Sequence, residues 1–379
     1  MQKQIALLGS TGSIGKSTLE VIRHLKDEIQ IVALAAKSNI DLLELQAKEF
    51  SPEIIAVFEE KAAYELQKRL PSIPVLAGMD GLKAVASFSK ANFVMLAMAG
   101  TIGLQPTLTA IESGKQVGIA NKETLVSAGD LITNLAKKKG ICLLPVDSEM
   151  CALFQCLQGE SSKSIRRLII TGSGGPLREK SLFELEKITW NEPLTHPHFQ
   201  VGARGMVDSS TLMNKGLEMM VARWLFDVEP ARIELVIHPE QRVQSCVEFI
   251  DGSLIAQIAE PNMLLPIQYA LSYPKRRKGF LPPYDFLKNR TLSFLAPDKE
   301  KFRCLKLAID VMKAGRSYPS FLMAANEVLV ERFLDKKISW MEIGTKLEKL
   351  ISSHEPQNLL TLEAILELDG LARRKASVV

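Results

Sequence analysis

A glycine-rich turn between a short apolar run and an amphipathic stretch sets the frame for the start of the chain. Gln4-Ile5-Ala6-Leu7-Leu8 reads as a buried strand, and Gly9-Ser10-Thr11-Gly12-Ser13-Ile14-Gly15 follows directly. A helical pattern then opens at Lys16 and carries Leu19, Ile22 and Leu25 on one face. Strand, glycine turn and helix in that order suit a dinucleotide. Gly12 lets the backbone approach a pyrophosphate, Gly15 allows close helix–strand packing, and the helix start offers unpaired N–H groups to anions. The competing reading is an ordinary tight turn. The next strand, residues 31–36, ends in Lys37-Ser38-Asn39. An acidic residue there would bind a ribose 2′-hydroxyl, whereas a cation and two small polar groups suit a 2′-phosphate, so the pattern favours NADPH.

Further apolar runs at 54–57, 93–97 and 116–120 alternate with helical patterns, which predicts a doubly wound parallel sheet of Rossmann type. Ligands gather at the carboxyl ends of such strands. Asn121-Lys122-Glu123 stands at one of these ends, with a polar strand-to-helix turn as the plain alternative. Pro145-Val146-Asp147-Ser148-Glu149 stands at another, after the apolar run 141–144. On an extended strand Asp147 and Glu149 share a face, and two such carboxylates repel unless a proton or a hard cation lies between them.

Beyond residue 150 the pattern changes. A strand at 165–170 leads into Thr171-Gly172-Ser173-Gly174-Gly175-Pro176, a small-residue loop able to form an anion nest with Ser173 as hydroxyl donor. Residues 195–205, with two histidines, Pro197, Phe199, Gly202 and Gly205, read as a mobile lid. Asp208-Ser209-Ser210-Thr211 reads as the cap of a helix at 212–226, placing Ser209, Asn214 and Lys215 for phosphate and Glu218 one turn deeper. Gly216 inside that helix costs roughly 1 kcal/mol relative to alanine, which predicts close packing against it. Strands at 233–237, 243–250 and 253–258 suggest a meander with an Asp251-Gly252 type I′ turn, hence an α+β domain with a sheet face for dimerisation. From 300 onward the pattern is helical, a small bundle without evident chemistry. The expected division is therefore 1–150 for NADPH, 151–290 for catalysis and dimerisation, and 291–379 for linker and bundle.

Net charge over the 379 residues is +4, too mild to argue for nucleic acid but favourable to a phosphorylated substrate. No apolar run reaches the ~18–20 residues of a membrane span. The early strand leaves no room for a signal peptide. Five scattered cysteines without a CxxC pair fit buried thiols in a reducing cytoplasm.

Taken in order, the glycine loop 9–15, Ala120-Asn121-Lys122-Glu123, Val146-Asp147-Ser148-Glu149, 171–176, Val207-Asp208-Ser209, 213–218 and Ala324-Ala325-Asn326-Glu327 resemble the 1-deoxy-D-xylulose 5-phosphate reductoisomerase family nearly end to end. The resemblance implies a homodimer that uses NADPH to rearrange and reduce 1-deoxy-D-xylulose 5-phosphate to 2-C-methyl-D-erythritol 4-phosphate. It implies Mg²⁺ or Mn²⁺ on Asp147, Glu149 and Glu218. Thr11, Gly12, Ser13, Ile14, Ser38, Asn39, Asn121, Glu123 and Gly202 would hold the cofactor. Lys122, Ser148, Glu149 and His196 would contact the substrate, with its phosphate on Ser173, Ser209, Asn214 and Lys215. The chain departs from the family pattern at Phe199 and Val201 in the lid, at Met150 after the acidic strand end, and at Lys37-Ser38. Two rival readings are an NADP-dependent dehydrogenase acting on a semialdehyde and a non-catalytic NADPH-binding protein. The first needs no set of three carboxylates beside a phosphate cluster; the second predicts cofactor binding without metal-dependent turnover.

Overall fold

A computed structural model describes residues 2–189, 202–289 and 291–379. The chain divides into two compact units, Met1–Thr124 with Ile132–Cys151 and Met263–Pro282, and Leu125–Leu131 with Ala152–Asn262 and Pro283–Val379.

The first unit is built on β1 (Lys3–Leu8), α1 (Ser13–His24), β2 (Ile29–Ala36), α2 (Ile40–Phe50), β3 (Ile54–Val57), α3 (Glu60–Arg69), β4 (Val75–Ala77), α4 (Gly78–Ala86), β5 (Phe93–Leu96), α5 (Leu104–Glu112) and β6 (Gln116–Ile119). Helix α6 (Lys122–Lys139), strand β7 (Leu143–Pro145) and helix α7 (Ser148–Cys156) follow. The seven strands form one parallel sheet in the order β4-β3-β2-β1-β5-β6-β7. Strands of a parallel sheet are continuous apolar runs because both faces are covered. Accordingly Ile5, Ala6, Leu7 and Leu8 of β1 are fully buried, as are all four residues of β5. Strand order reverses between β1 and β5, the switch point at which such folds bind ligands. The doubly wound sheet expected from the sequence is present.

The second unit holds β8 (Ile165–Gly172), α8 (Leu182–Leu185), α9 (Ala203–Ser210), α10 (Met213–Phe226), β9 (Ile233–Ile237), β10 (Val243–Phe249) and β11 (Leu254–Ile258). Its sheet has the order β11-β10-β8-β9. The meander expected from strand order is thus not formed. β9 pairs in parallel with β8, while β8 lies antiparallel to β10. The β10–β11 hairpin does form, but not on a type I′ turn. Of its loop residues only Gly252 has a positive φ, +88°, and the Asp251 carboxylate accepts from the Ser253 N–H at 2.9 Å. A type I′ turn needs positive φ at both central residues, so the loop widens instead.

Helix α11 (Leu264–Ser272) returns to the first unit and packs on α1. The rest of the second unit is α12 (Arg303–Ala314), α13 (Tyr318–Leu334), α14 (Trp340–Ser352) and α15 (Leu362–Val378). A complete capping box, Ser339 with Glu342, starts α14. The turn after α14 is pinned through His354, whose ring stacks on Phe321 at 4.2 Å. Ser317 Oγ accepts from the Gln357 N–H at 2.8 Å and lies 2.9 Å from His354 Nε2. Burial, then the charge of Lys375, lowers the His354 pKa. All five cysteines are free thiols. Among the described residues, no helix is long and apolar enough to cross a membrane.

Candidate functional site

In the first unit the glycine turn gives the close helix–strand packing expected at Gly15. Gly9 has φ +87°, and a Cβ there would lie 2.5 Å from the Ala97 carbonyl oxygen. A Cβ on Gly15 would meet Gly9 O at 2.2 Å, so α1 can approach β1 only through glycine. Gly12 differs: the nearest chain atom to its Cβ would be Gly9 O at 3.4 Å, an ordinary contact. Nothing in the chain itself demands glycine at 12, and the position is exposed. Thr11, Ser13 and Ile14 flank it, and no side chain caps the helix start. From behind, buried Gln46 donates to the Ser10 carbonyl at 3.0 Å. A glutamine inside a helix carries no sequence signal for that support.

Lys37, Ser38 and Asn39 follow β2 and are exposed. Asn39 also caps α2, accepting from the Leu42 N–H at 3.2 Å. Asn121 is 2 % exposed and fully engaged. Its Oδ1 accepts from the Thr124 N–H at 2.8 Å, and its Nδ2 donates to the carbonyls of Met98 and Gly100 at 2.5 and 2.8 Å. The side chain organises the loop after β5 while capping α6. Glu123 lies beside it in the first turn of α6. Lys122 projects from that turn, and its Nζ lies 3.0 Å from Asp147 Oδ2.

Asp147 and Glu149 do not share a strand face, as the apolar lead-in had suggested. β7 ends at Pro145, and Ser148 already begins α7. Asp147 precedes the helix, its carbonyl accepting from the Cys151 N–H at 2.8 Å. Glu149 sits in the first turn, where a helix start favours negative charge. Ser148 Oγ lies 2.5 Å from Glu149 Oε2. Met150 is fully buried in the core.

The second unit assembles the other half of the expected residues. After β8, Gly174 and Gly175 have φ +88° and +75°. Ser173 Oγ accepts from the Gly175 N–H at 3.2 Å, and Arg178, which the sequence did not single out, donates to the Ser173 carbonyl at 3.0 Å. A Cβ on Gly175 would lie 2.5 Å from the Ser209 carbonyl oxygen, and one on Gly172 would lie 2.8 Å from Lys215 Cε. The small-residue loop, Ser209 and Lys215 are thereby brought into contact across positions where no side chain fits. Glu218 is 2 % exposed and held from its own helix: Asn214 Nδ2 donates to Oε1 at 2.5 Å and Lys215 Nζ to Oε2 at 2.7 Å. A buried carboxylate needs such compensation.

Ser209 does not cap α10. Asp208, Ser209 and Ser210 close α9, and α10 starts after Leu212, whose φ is +57°. A short helix with a left-handed link leaves no periodicity signal of its own. Gly202, expected in the lid, is the N-cap of α9, and Ala203–Gly205 are helical. His196, Phe199 and Val201 lie outside the described residues.

Comparison with known proteins bears on the same residues. Profiles described as 1-deoxy-D-xylulose 5-phosphate reductoisomerase, its C-terminal domain, and DXP reductoisomerase C-terminal domain match residues 5–129, 143–226 and 258–375. The chain is 56% identical to 1-deoxy-D-xylulose 5-phosphate reductoisomerase of Protochlamydia amoebophila, over 99% of this chain and 98% of that protein. It is 45% identical to the Chlamydia muridarum enzyme, covering 99% of each. The structure of the Zymomonas mobilis reductoisomerase in complex with NADPH matches with TM-score 0.94 and 39% identity over 100% of this chain and 98% of that one. A DOX-P reductoisomerase in complex with NADPH, fosmidomycin and magnesium matches with TM-score 0.92 and 37% identity, over the same shares. With an uncapped glycine turn at the switch point of one unit, a serine, asparagine and lysine cluster in the other, and this likeness along the whole chain, the protein belongs to the 1-deoxy-D-xylulose 5-phosphate reductoisomerase family.

Proposed function

We infer that this chain converts 1-deoxy-D-xylulose 5-phosphate to 2-C-methyl-D-erythritol 4-phosphate with NADPH and a divalent metal, and that the residues singled out above divide the work. The observation that carries the residue-level reading is the cluster around Gly172 and Gly175, where Ser173, Ser209 and Lys215 converge beside Asn214. Hydroxyls, an amide and a cation in one nook match the donors a phosphate monoester needs. A semialdehyde dehydrogenase would not require that cluster together with three carboxylates.

NADPH would lie along Thr11, Gly12, Ser13 and Ile14, with Gly12 kept bare for the pyrophosphate. Lys37 and Ser38 take the 2′-phosphate, Asn39, Glu123 and Gly202 extend the site, and Asn121 acts on it through the Met98–Gly100 loop. The expected result for Lys37→Ala is a fall in the NADPH-over-NADH preference of about tenfold, the worth of one charge-assisted contact. Steady-state kinetics with both cofactors check it, and an unchanged ratio removes Lys37 from the 2′-phosphate.

Asp147, Glu149 and Glu218 are the acidic group among the described residues suited to hold an ion, and all-oxygen donors fit Mg²⁺ or Mn²⁺. When bound, the metal supplies Lewis-acid polarisation of the substrate's oxygens and NADPH supplies the hydride. Lys122, already paired with Asp147, is placed to stabilise negative charge on those oxygens. Ser148 and His196 orient the carbon skeleton with Glu149. Lys215 and Asn214 hold Glu218 in place while presenting their remaining donors to the phosphate, so substrate grip and metal-ligand position are coupled through one helix. Binding energy from the phosphate, remote from the reacting carbons, drives closure of the lid. Stripped of divalent ions, the protein should still bind NADPH but fail to oxidise it in the presence of substrate, with Mg²⁺ or Mn²⁺ restoring turnover. Turnover persisting in excess chelator would overturn the metal assignment.

The same reading places cofactor binding in 1–150, catalysis and dimerisation in 151–290, and a supporting bundle in 291–379. It makes the protein a cytoplasmic homodimer, and exposed Ile250, Leu254 and Ile255 at the β10–β11 hairpin offer an apolar contact surface.

A further inference from the structure

The short helix α9 carries Ser209, yet its own sequence gives it little reason to hold one position. It has eight residues, no side-chain N-cap bond, and a left-handed non-glycine link to α10 at Leu212. Such a link costs of order 1–3 kcal/mol and persists only when the surroundings over-determine it. Those surroundings come from the C-terminal bundle, more than a hundred residues later. Asn326 on α13, fully buried, donates from Nδ2 to Asp208 Oδ1 at 2.8 Å. Trp340 at the start of α14 donates from Nε1 to Ser210 Oγ at 2.9 Å, and Ser210 Oγ donates onward to the Val207 carbonyl at 2.7 Å. The two residues on either side of Ser209 are therefore each gripped by a bundle side chain. An ion pair between Arg204 and Glu331 of α13 adds a third tie. Cys304 of α12 hydrogen-bonds Thr211, and burial pushes its thiol up to about 12, which marks a dry interior where such bonds are strong. Among the described residues Asn326 Oδ1 has no hydrogen-bond partner.

We propose that Asn326 and Trp340 are positioning residues for substrate binding: by clamping Asp208 and Ser210 they aim Ser209 at the substrate phosphate. The bundle, which offers no chemistry of its own, thus sets the phosphate seat. This rests on the reading of Ser209 as a phosphate contact. Asn326→Leu removes the amide donor at constant volume, and Trp340→Phe removes the indole N–H while keeping a ring. A displacement of the order of 1 Å far from the chemistry is worth up to about 100-fold. For Asn326→Leu we expect KM for 1-deoxy-D-xylulose 5-phosphate to rise about tenfold, and for Trp340→Phe about threefold. In both, kcat should fall by less than KM rises, NADPH affinity should be unchanged, and inhibition by inorganic phosphate should weaken in parallel with KM. Unchanged KM and phosphate inhibition would overturn the proposal. So would a joint loss of kcat, KM and NADPH affinity tracking thermal stability, the signature of a structural role alone. If Asn326→Leu does not fold, Trp340→Phe decides by the same criteria. Ser209→Ala, measured alongside, separates the two layers: unaltered KM there removes Ser209 from the phosphate and the proposal with it. A raised KM in Ser209→Ala beside a silent Asn326→Leu and Trp340→Phe overturns the positioning role alone.

Discussion

Glu149→Gln is expected to lower kcat/KM by at least about 100-fold while leaving the NADPH dissociation constant unchanged. The amide keeps the size and shape of the side chain and can still meet Ser148 Oγ, so α7 loses little. What disappears is a negative charge in the first helical turn, and with it one of the three carboxylates proposed to hold the divalent ion. Residues 11–14 and 37–39, proposed for the cofactor, lie elsewhere in the chain and should be untouched. Steady-state kinetics at saturating Mg²⁺ and Mn²⁺, with NADPH binding followed by fluorescence, check both halves. An unaffected kcat/KM would take Glu149 out of the metal set. Equal losses in kcat and NADPH affinity would mean that the substitution disturbs the fold instead.

The largest stability effect is expected at Gly216→Val. Gly216 packs α10 against α12 so closely that a Cβ would lie 2.2 Å from the Ala308 Cβ. No pair of carbons tolerates that distance, so one helix must shift. Overpacking of this kind costs typically 1–3 kcal/mol, and the upper end applies because the obstacle is a short, rigid methyl rather than a flexible tip. In a domain of this size a loss of about 3 kcal/mol lowers the unfolding midpoint by roughly 6–12 °C. Thermal denaturation followed by circular dichroism reads it, and Ala308→Gly in the same chain should recover most of the loss. A midpoint within a degree of the parent would show that α10 and α12 can separate without penalty.

Gly216 also shows how far local sequence reaches. Its presence inside a helix signalled close packing, but nothing local named Ala308, ninety-two positions later, as the neighbour. The same boundary runs through the fold. Apolar runs alternating with 3.6-residue periodicity made the parallel sheet visible, because each strand of such a sheet is buried on both faces. The order of the second sheet was not visible. Its strands alternate like any half-exposed strand, and only tertiary pairing puts β8 between β9 and β10. At the site, glycines and serines in tight turns announced themselves through composition. Their supports did not: Gln46, Arg178, Asn326 and Trp340 are ordinary residues of their segments, and each acts on a residue that only the fold brings near. Asp147 and Glu149 stood out in the sequence as paired acids after an apolar run, but strand alternation does not describe how they are spaced. β7 ends at Pro145, and a helix start at Ser148 sets the spacing.

The return of residues 263–282 to the first unit has a consequence for how the protein is made. Lys3 on β1 donates to the Leu271 carbonyl at 2.7 Å, and α11 covers α1. A ribosome that has released only the first 150 residues has therefore delivered every strand of the parallel sheet but not the helix that finishes it. The parallel sheet waits, partly uncovered, while the whole second sheet is synthesised. A fragment ending near residue 150 would carry that same raw face into solution, whereas one extended by residues 263–282 through a short linker would close it.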